Sequence, residues 1–358
     1  MLKCAERRTV LRTDSMHEER CAAEYRVCPK NSAVVWLIVG VVSVCLSHPK
    51  GRYMAGPVTY QPERVGDWGV AAAVDGGRYE TGAMKMADGA SIFYRAWLHP
   101  DPQRPVLLVM HGIGAHGGWF IDMGNSLNEQ GLSVYIIDHR GFGRSGGMRG
   151  HVAEAQTPVR DAEAVVSEIR RRHPEVQVSI LGHSLGAIYA LHMAADDSAT
   201  AQHQLAGMIL VNPGIAATWK VPVGRQVAMA VGGLSGSTRQ WSLAPGHEIM
   251  TTNAEAKRML DADSYWQRTQ SAAFIYQVLL RLRNSAMKRA PRIRTPALVI
   301  QCEADLSVVP AASRRCYDML GSPDKMWKTY PNFSHDFEFE PHRAALDADV
   351  AAWVMGHR

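Results

Sequence analysis

Short runs of consecutive apolar residues recur along the chain from residue 84 onward, and polar or glycine-containing turns separate them. Runs of this kind, without alternation, are typical of parallel strands that are buried on both faces of a sheet. An Asp88-Gly89 turn precedes the first predicted strand. The predicted strands cover residues 91–98, 105–110, 132–137, 176–181, 208–211, 297–300 and 326–330.

Helical patterns occupy the intervals between these strands. Residues 158–172 place Ala162, Val165 and Ile169 on one face, carry arginines in the last turn and end before a His-Pro pair. Residues 185–195 form a second helix, which is rich in small side chains. Strands that alternate with helices predict an α/β protein with a mostly parallel, doubly wound sheet.

One segment breaks this alternation and predicts a helical cap that is inserted between two strands of the core. It contains a Gly/Ser-rich stretch and then a helical stretch over residues 271–283. The predicted organisation is an N-terminal extension (1–32), a hydrophobic segment (33–47), a linker rich in Gly, Pro and Ala (48–83), an α/β core (84–213 and 291–358) and the cap (214–290).

The hydrophobic segment contains an uncharged stretch over residues 33–46. Its length falls below the roughly 20 residues that a membrane-spanning helix needs and suits the apolar part of a signal peptide. The mixed charges before it are atypical of a signal peptide, and a translation start at Met16 would explain them. The segment predicts export or membrane association. The alternative is a cytoplasmic protein in which this stretch is buried or spurious.

Composition and charge exclude several classes of function. The chain is 46% apolar and 20% charged, which is ordinary for a globular protein with a core. Its net charge of +5 is small and its basic residues are scattered, which argues against nucleic-acid binding. Four of the six cysteines precede residue 46, and Cys302 and Cys316 either pair or stay free. No Cys/His cluster has zinc-site spacing, and we expect neither metal nor cofactor.

The strongest chemical signal is the pentapeptide Gly182-His183-Ser184-Leu185-Gly186, which fits the G-x-S-x-G pattern of a nucleophile elbow. It stands between a predicted strand and a predicted helix, as that turn requires. Glycines on both sides let the strand and the helix approach closely. The pattern predicts Ser184 as a nucleophile at the carboxyl edge of the sheet, whereas a structural serine turn is the alternative.

A serine hydroxyl needs a base, and the chain order expected here is serine, acid, histidine. His335 lies late in the chain, after the last predicted strand, and Asp305 follows the strand at 297–300. Glu303 is the rival acid, although it lies closer to the end of that strand. The sequence therefore predicts a Ser184–His335–Asp305 triad.

A glycine-rich turn, His111-Gly112-Ile113-Gly114, follows the predicted strand at 105–110. Such a turn can direct backbone N–H groups at the negative charge that develops on a substrate oxygen. The expected donors are the amides of Ile113 and of Leu185, the residue after the nucleophile. A simple turn that closes the strand is the alternative.

Together these stretches resemble the monoacylglycerol lipase and lysophospholipase branch of the α/β-hydrolases, a group similar to the S33 serine aminopeptidases. The resemblance covers residues 84–358, and Cys302 and Ser334 stand where the family usually has glycine. The matching segments are His111-Gly-Ile-Gly-Ala-His116, Asp138-His-Arg-Gly-Phe-Gly-Arg-Ser145, Arg149-Gly-His151, Gly182-His-Ser-Leu-Gly-Ala187 and Thr295-Pro-Ala-Leu-Val-Ile300.

The resemblance implies cofactor-free hydrolysis of a carboxylic ester that bears one fatty acyl chain, with an apolar cap over the acyl tunnel. A thioesterase or acyltransferase with the same triad, and a non-catalytic binding protein on this fold, remain alternatives. Basic residues between 281 and 294 either contact anionic lipid headgroups or form a solvated face. The large apolar residues of the cap either line the acyl pocket, contact a membrane or form the cap's own core: Trp219, Met229, Trp241, Trp266 and Phe274.

Overall fold

The computed structural model describes residues 79–195, 205–243 and 246–357 of the 358-residue chain. The predicted N-terminal extension and hydrophobic segment lie outside the described residues, as does nearly all of the predicted linker. Within the described part of the chain, no helix is long and apolar enough to cross a membrane.

Eight strands form one sheet in the order β1-β2-β4-β3-β5-β6-β9-β10. The first two strands run antiparallel to their neighbours, and all the others are parallel. This arrangement confirms the predicted fold class. The strands are β1 Glu80–Lys85, β2 Ser91–Trp97, β3 Val106–Met110, β4 Ser133–Ile137, β5 Val178–His183, β6 Leu205–Val211, β9 Ala297–Cys302 and β10 Lys325–Tyr330. A separate antiparallel ribbon pairs β7 Gln240–Ser242 with β8 Thr269–Ser271.

Eight helices connect or follow these strands in the described residues. They are α1 Ile121–Glu129, α2 Thr157–Arg172, α3 Leu185–Ala194, α4 Val223–Leu234, α5 Ala254–Ala262, α6, α7 Pro310–Met319 and α8 Ala344–Gly356. Helix α6 comprises three consecutive segments, Ala272–Phe274, the π-helical Ile275–Leu282 and Arg283–Arg289.

The apolar strand runs are buried on both faces because helices cover both sides of the sheet. Leu108 and Leu107, neighbours on β3, point to opposite sides and belong to two separate apolar clusters. The cluster around Leu108 includes residues of α2, α3 and α7, and the cluster around Leu107 includes residues of α1 and α8. A strand that is buried on both faces therefore carries apolar residues at consecutive positions.

Strand β1 corrects the predicted linker, because it begins at Glu80, before the expected end of that linker at residue 83. Only Met84 of its six residues is buried, so β1 is a mostly exposed edge strand. An exposed edge strand needs no apolar run, which is why the sequence pattern did not indicate it.

The predicted cap segment lies between β6 and β9 in the chain, and we refer to residues 214–290 as the insert. It contains α4, α5, α6 and the β7–β8 ribbon. The later part of α6 packs into the same apolar cluster as α3 through Leu282 and Ala286. This end of the insert is therefore continuous with the core, and its apolar side chains recur every four residues as a buried helix face demands.

Candidate active site

The nucleophile elbow forms as a sharp turn between β5 and α3. Ser184 stands at this turn with φ 52° and ψ −109°, a backbone conformation that residues with a side chain rarely adopt. A Cβ on Gly182 would overlap the carbonyl oxygen of Gly186, and a Cβ on Gly186 would overlap that of Met110. Both glycines are therefore needed for the close approach of strand and helix. Hydrogen bonds to the carboxyl end of β6 and the start of the insert hold the Ser184 backbone in place.

The structure brings Ser184, His335 and Asp305 together although they lie far apart in the sequence. The Oγ of Ser184 lies 3.0 Å from Nε2 of His335, and Nδ1 of His335 lies 2.7 Å from Oδ2 of Asp305. All three side chains are buried. Each follows the carboxyl end of a parallel strand, namely β5, β9 or β10, and these ends meet at one edge of the sheet. The geometry is that of a nucleophile, a base and an orienting acid.

The two candidate acids differ in burial and in hydrogen bonding. Asp305 is buried, and its second oxygen accepts hydrogen bonds from the amides of Ser307 and Val308 at 2.6 and 2.9 Å. Glu303 is exposed and directly follows the carboxyl end of β9. The turn of residues 303–309, which we call the acid loop, thus fixes Asp305 against His335 and turns Glu303 to solvent.

Burial and charge act in opposite directions on the pKa of the His335 imidazole. Burial favours the neutral form of His335, but the negative charge of Asp305 and its hydrogen bond favour the cation more strongly. The pKa of His335 is therefore raised above its ordinary value of 6.5. A base with a raised pKa takes up the proton of Ser184 more readily, provided that the pH keeps it neutral beforehand.

Two side chains fix the backbone of His335, namely His183 of the predicted elbow and Asn212, which the sequence did not indicate. Its carbonyl oxygen accepts from Nδ2 of Asn212 at 2.7 Å and from Nε2 of His183 at 3.0 Å. Oδ1 of Asn212 also accepts from the amide of Cys302 at 2.7 Å, so Asn212 links the end of β9 to His335. Asn212 is buried and has φ 45°. An Asn-Pro pair directly after an apolar strand was the one signal available for it.

His183, inside the elbow motif, remains neutral because burial lowers its pKa well below the ordinary value. The N–H on Nε2 that donates to the His335 carbonyl is consistent with this state. Burial also raises the pKa of Asp336, which follows His335 and lies close to His183. Side-chain ligand atoms of His183, His335 and Asp336 lie within 4.8 Å of one another. Both ring nitrogens of His335 are already hydrogen bonded to its two triad partners.

We call residues 111–118 the oxyanion loop. A Cβ on Gly112 would lie 3.1 Å from Cβ and 3.6 Å from Oγ of Ser184, so this loop runs directly beside Ser184. Ile113 follows within the same turn, and Leu185 begins α3. The two predicted amide donors therefore belong to segments that adjoin Ser184.

The ring of His111 shapes the first turn of the oxyanion loop. Its Nδ1 lies 2.7 Å from the carbonyl oxygen of Gly112, and its Nε2 accepts from the amide of His139 at 2.9 Å. Burial lowers the pKa of His111 well below the ordinary value, which keeps the ring neutral for these two roles.

A buried ion pair holds the other end of the oxyanion loop. Oδ1 of Asp138 accepts from Arg95 at 2.9 Å and from the amide of Gly117 at 2.7 Å, and Oδ2 accepts from the amide of Arg144 at 2.7 Å. Burial opposes the charge of Asp138, but Arg95 and the other donors outweigh it and lower its pKa. Asp138, the first residue of the Asp138–Ser145 motif, thus stabilises this end of the oxyanion loop.

The insert is hydrogen bonded to the acid loop and to the segment that carries His335. The amide and hydroxyl of Thr218 donate to the carbonyls of Ser307 and Leu306 at 3.1 and 2.5 Å. The hydroxyl of Ser334, a position that is usually glycine in the resembled family, accepts from the amide of Thr252 at 3.2 Å. The insert therefore contacts the segments that carry Asp305 and His335.

The structure shows the state of the two cysteines in the core and the surroundings of Phe274. Cys302 and Cys316 are both buried free thiols rather than a disulfide. Phe274, one of the large apolar residues of the predicted cap, packs against Phe142 with ring centroids 5.6 Å apart. It belongs to the apolar cluster of the core and not to an exposed lid.

The family profile described as "Serine aminopeptidase, S33" matches residues 101–342, a range that includes Ser184, Asp305 and His335. The monoacylglycerol lipase of Mycolicibacterium smegmatis is 29% identical over 279 residues, which cover 75% of this chain and 94% of that protein. The human monoglyceride lipase is 27% identical over 256 residues, which cover 70% of this chain and 81% of that protein.

Solved structures show the same fold. The crystal structure of Paleococcus ferrophilus monoacylglycerol lipase superposes with a TM-score of 0.66 at 23% identity and covers 75% of this chain and 99% of that one. A soluble variant of the monoglyceride lipase from Saccharomyces cerevisiae, solved with a substrate analogue, gives a TM-score of 0.68 at 18% identity and covers 83% of this chain and 99% of that one.

Proposed function

The chain belongs to the serine aminopeptidase S33 family, and we propose from that premise that it hydrolyses the carboxylic ester of a lipid with one fatty acyl chain. The observation that carries the proposal is the continuous hydrogen-bonded path from Ser184 through His335 to Asp305, with distances of 3.0 and 2.7 Å. The relatives named monoacylglycerol lipase and monoglyceride lipase favour a monoacylglycerol as the substrate class.

The proposed reaction begins when Oγ of Ser184 attacks the ester carbonyl while Nε2 of His335 takes the hydroxyl proton. Asp305 holds the imidazole in the required tautomer and stabilises its cation. The amides of Ile113 and Leu185 donate to the carbonyl oxygen as it becomes negative. When the C–O bond of the ester breaks, His335 passes its proton to the leaving alcohol and the acyl group stays on Ser184.

The second half of the proposed reaction repeats these steps with water. His335, neutral again, takes a proton from a water molecule, whose oxygen attacks the acyl carbonyl. Collapse of this intermediate breaks the bond to Ser184, and the proton returns from His335 to the serine oxygen. The products are a free fatty acid and the original enzyme, so no cofactor is consumed.

A substrate panel tests the acyl acceptor and the head group. We expect the protein to hydrolyse a long-chain monoacylglycerol at least about tenfold faster, by kcat/KM, than the matching lysophosphatidylcholine, acyl-CoA thioester and aminoacyl p-nitroanilide. A tenfold preference corresponds to about 1.4 kcal/mol of transition-state binding. Faster turnover of the thioester would overturn the ester assignment in favour of a thioesterase, and turnover of the anilide alone would favour an aminopeptidase.

We also propose that the insert contacts a membrane surface when the substrate is dispersed in lipid. Helix α4 exposes Val223, Val227 and Leu234 by 74%, 39% and 61%, and their spacing places them on one side of the helix.

The membrane contact predicts a loss of lipid binding in the V223D/L234D variant. Sedimentation with vesicles of phosphatidylcholine and phosphatidylglycerol should retain at least about fivefold less variant than wild-type protein, because two apolar side chains that enter the lipid are replaced by acids. M326D is the matched control, since Met326 is 52% exposed but lies on the edge strand β10, outside the insert. Equal retention of wild-type protein and V223D/L234D would contradict the proposal.

A further inference from the structure

Asp263 is a buried carboxylate on the insert, and it contacts the oxyanion loop rather than solvent. Its Oδ2 accepts from Nε2 of His116 at 2.8 Å and from Nε1 of Trp119 at 2.7 Å. Its Oδ1 accepts from the amide of Tyr265 at 2.8 Å, which fixes the carboxylate within the insert. Every oxygen of Asp263 therefore has a partner, and two of its three donors belong to or directly follow the oxyanion loop.

A second, independent contact ties the insert to the same loop. The amide of Gln267 donates to the carbonyl oxygen of Gly114 at 2.9 Å. Gly114 has φ 78°, and a Cβ there would lie 2.9 Å from the Gln267 carbonyl oxygen and 3.3 Å from the indole nitrogen of Trp266. Only glycine allows this close approach, so the loop and the insert fit each other along their backbones.

His116 extends these contacts to the end of the oxyanion loop, at Gly117 and Gly118. Its Nδ1 accepts from the amide of Gly118 at 3.0 Å, while the opposite nitrogen donates to Asp263. Gly117, between them, donates to Asp138. Carboxylates on opposite sides thus hold one short loop, with Asp138 in the core and Asp263 in the insert.

The charge of Asp263 persists although the side chain is buried. Burial alone would raise its pKa, but the hydrogen bonds from His116, from the indole N–H of Trp119 and from the amide of Tyr265 lower it below the ordinary value. An ionised acceptor makes shorter and stronger hydrogen bonds than a neutral one, which suits a group that fixes a loop.

We propose that Asp263 is a positioning residue for the oxyanion hole, so that the insert completes the catalytic machinery instead of only covering it. This inference rests on the proposed hydrolase function. Asp263 touches neither Ser184 nor His335, and it acts through His116 and the backbone of the oxyanion loop. Displacing an amide donor reduces the stabilisation of the transition state more than it reduces substrate binding, because the negative charge on the substrate oxygen develops only during the reaction.

The test is the D263N variant, with kcat expressed per active site after complete titration by a fluorophosphonate. We expect kcat for p-nitrophenyl butyrate to fall about 10- to 100-fold while KM changes by less than about twofold. Affinity for a trifluoromethyl ketone, which forms a tetrahedral adduct on the serine, should fall by the same factor as kcat/KM. A purely structural role would lower the number of titratable sites and leave kcat per site unchanged.

E255Q is the matched control, because Glu255 is an exposed acid on α5 of the same insert. The variants H116L and H116Q keep the test decisive should D263N fail to fold. H116L should lose kcat per site as D263N does, and H116Q, which retains a donor, should recover a large part of it. Wild-type kcat per site in D263N or H116L would overturn the inference, whereas a wild-type protein without esterase activity would overturn the proposed function instead.

Discussion

Replacing Ser184 with alanine should lower kcat for p-nitrophenyl butyrate by about 10⁶-fold and abolish labelling by a fluorophosphonate probe. The change removes the atom that bonds to the acyl carbon, and Ser184 supplies the one hydroxyl that is hydrogen bonded to Nε2 of His335 among the described residues, so only binding and oxyanion stabilisation remain. The fold should survive because alanine and serine meet the same backbone strain at φ 52°. Ester turnover and probe labelling, measured on the same folded samples, check the prediction.

Ser179 provides the matched control for this substitution. It lies on β5 before the elbow, is buried, and its hydroxyl has no hydrogen-bond partner among the described residues. S179A should therefore keep full activity and labelling, since removing an unpaired buried hydroxyl costs the protein little. Wild-type turnover in S184A would rule out the elbow serine as nucleophile and with it the proposed mechanism.

The five central strands of the main sheet, β3 to β6 and β9, were predictable from sequence because they are buried on both faces. Each such strand appears in the sequence as a continuous apolar run, and parallel pairing places the carboxyl ends of β5, β9 and β10 at one edge. The exposed edge strand β1 leaves no comparable signal. The π-helical segment of α6 was not predictable either, since its wider turn depends on packing against neighbouring elements.

The residues of the candidate site also fall into two groups, those that the sequence indicates and those that it does not. Ser184, His335 and Asp305 follow strands at positions that a chain order can identify. Asn212 and Asp263 belong to no motif, because their roles depend on which loops the finished fold brings within 3 Å of them. The sequence pattern did indicate the segments that these residues support, namely the loops around His111, Asp138 and His335, but not the side chains that brace them.

The substitution D305N should lower kcat by about 10⁴-fold and shift the pH dependence of the remaining activity. The amide nitrogen of asparagine can donate to Nδ1 of His335, which leaves the proton on Nε2 and prevents that nitrogen from accepting the serine proton. In the wild-type protein kcat/KM should fall as the pH drops through the raised pKa of His335, above 6.5, because the cation cannot act as a base. Without the charge of Asp305, burial dominates, and this loss should move to lower pH.

E303Q is the control that separates the two candidate acids. Glu303 is exposed, and its backbone N–H donates to the carbonyl oxygen of Tyr330, a contact in which the side chain takes no part. The substitution therefore leaves the hydrogen bond between Nδ1 of His335 and Asp305 intact. Its pH–rate profile should superimpose on that of the wild-type protein, measured from pH 5 to pH 9 with the same ester. A loss of activity and a shifted profile in E303Q, with D305N unaffected, would mean that the acid loop rearranges in solution and that Glu303 orients the imidazole.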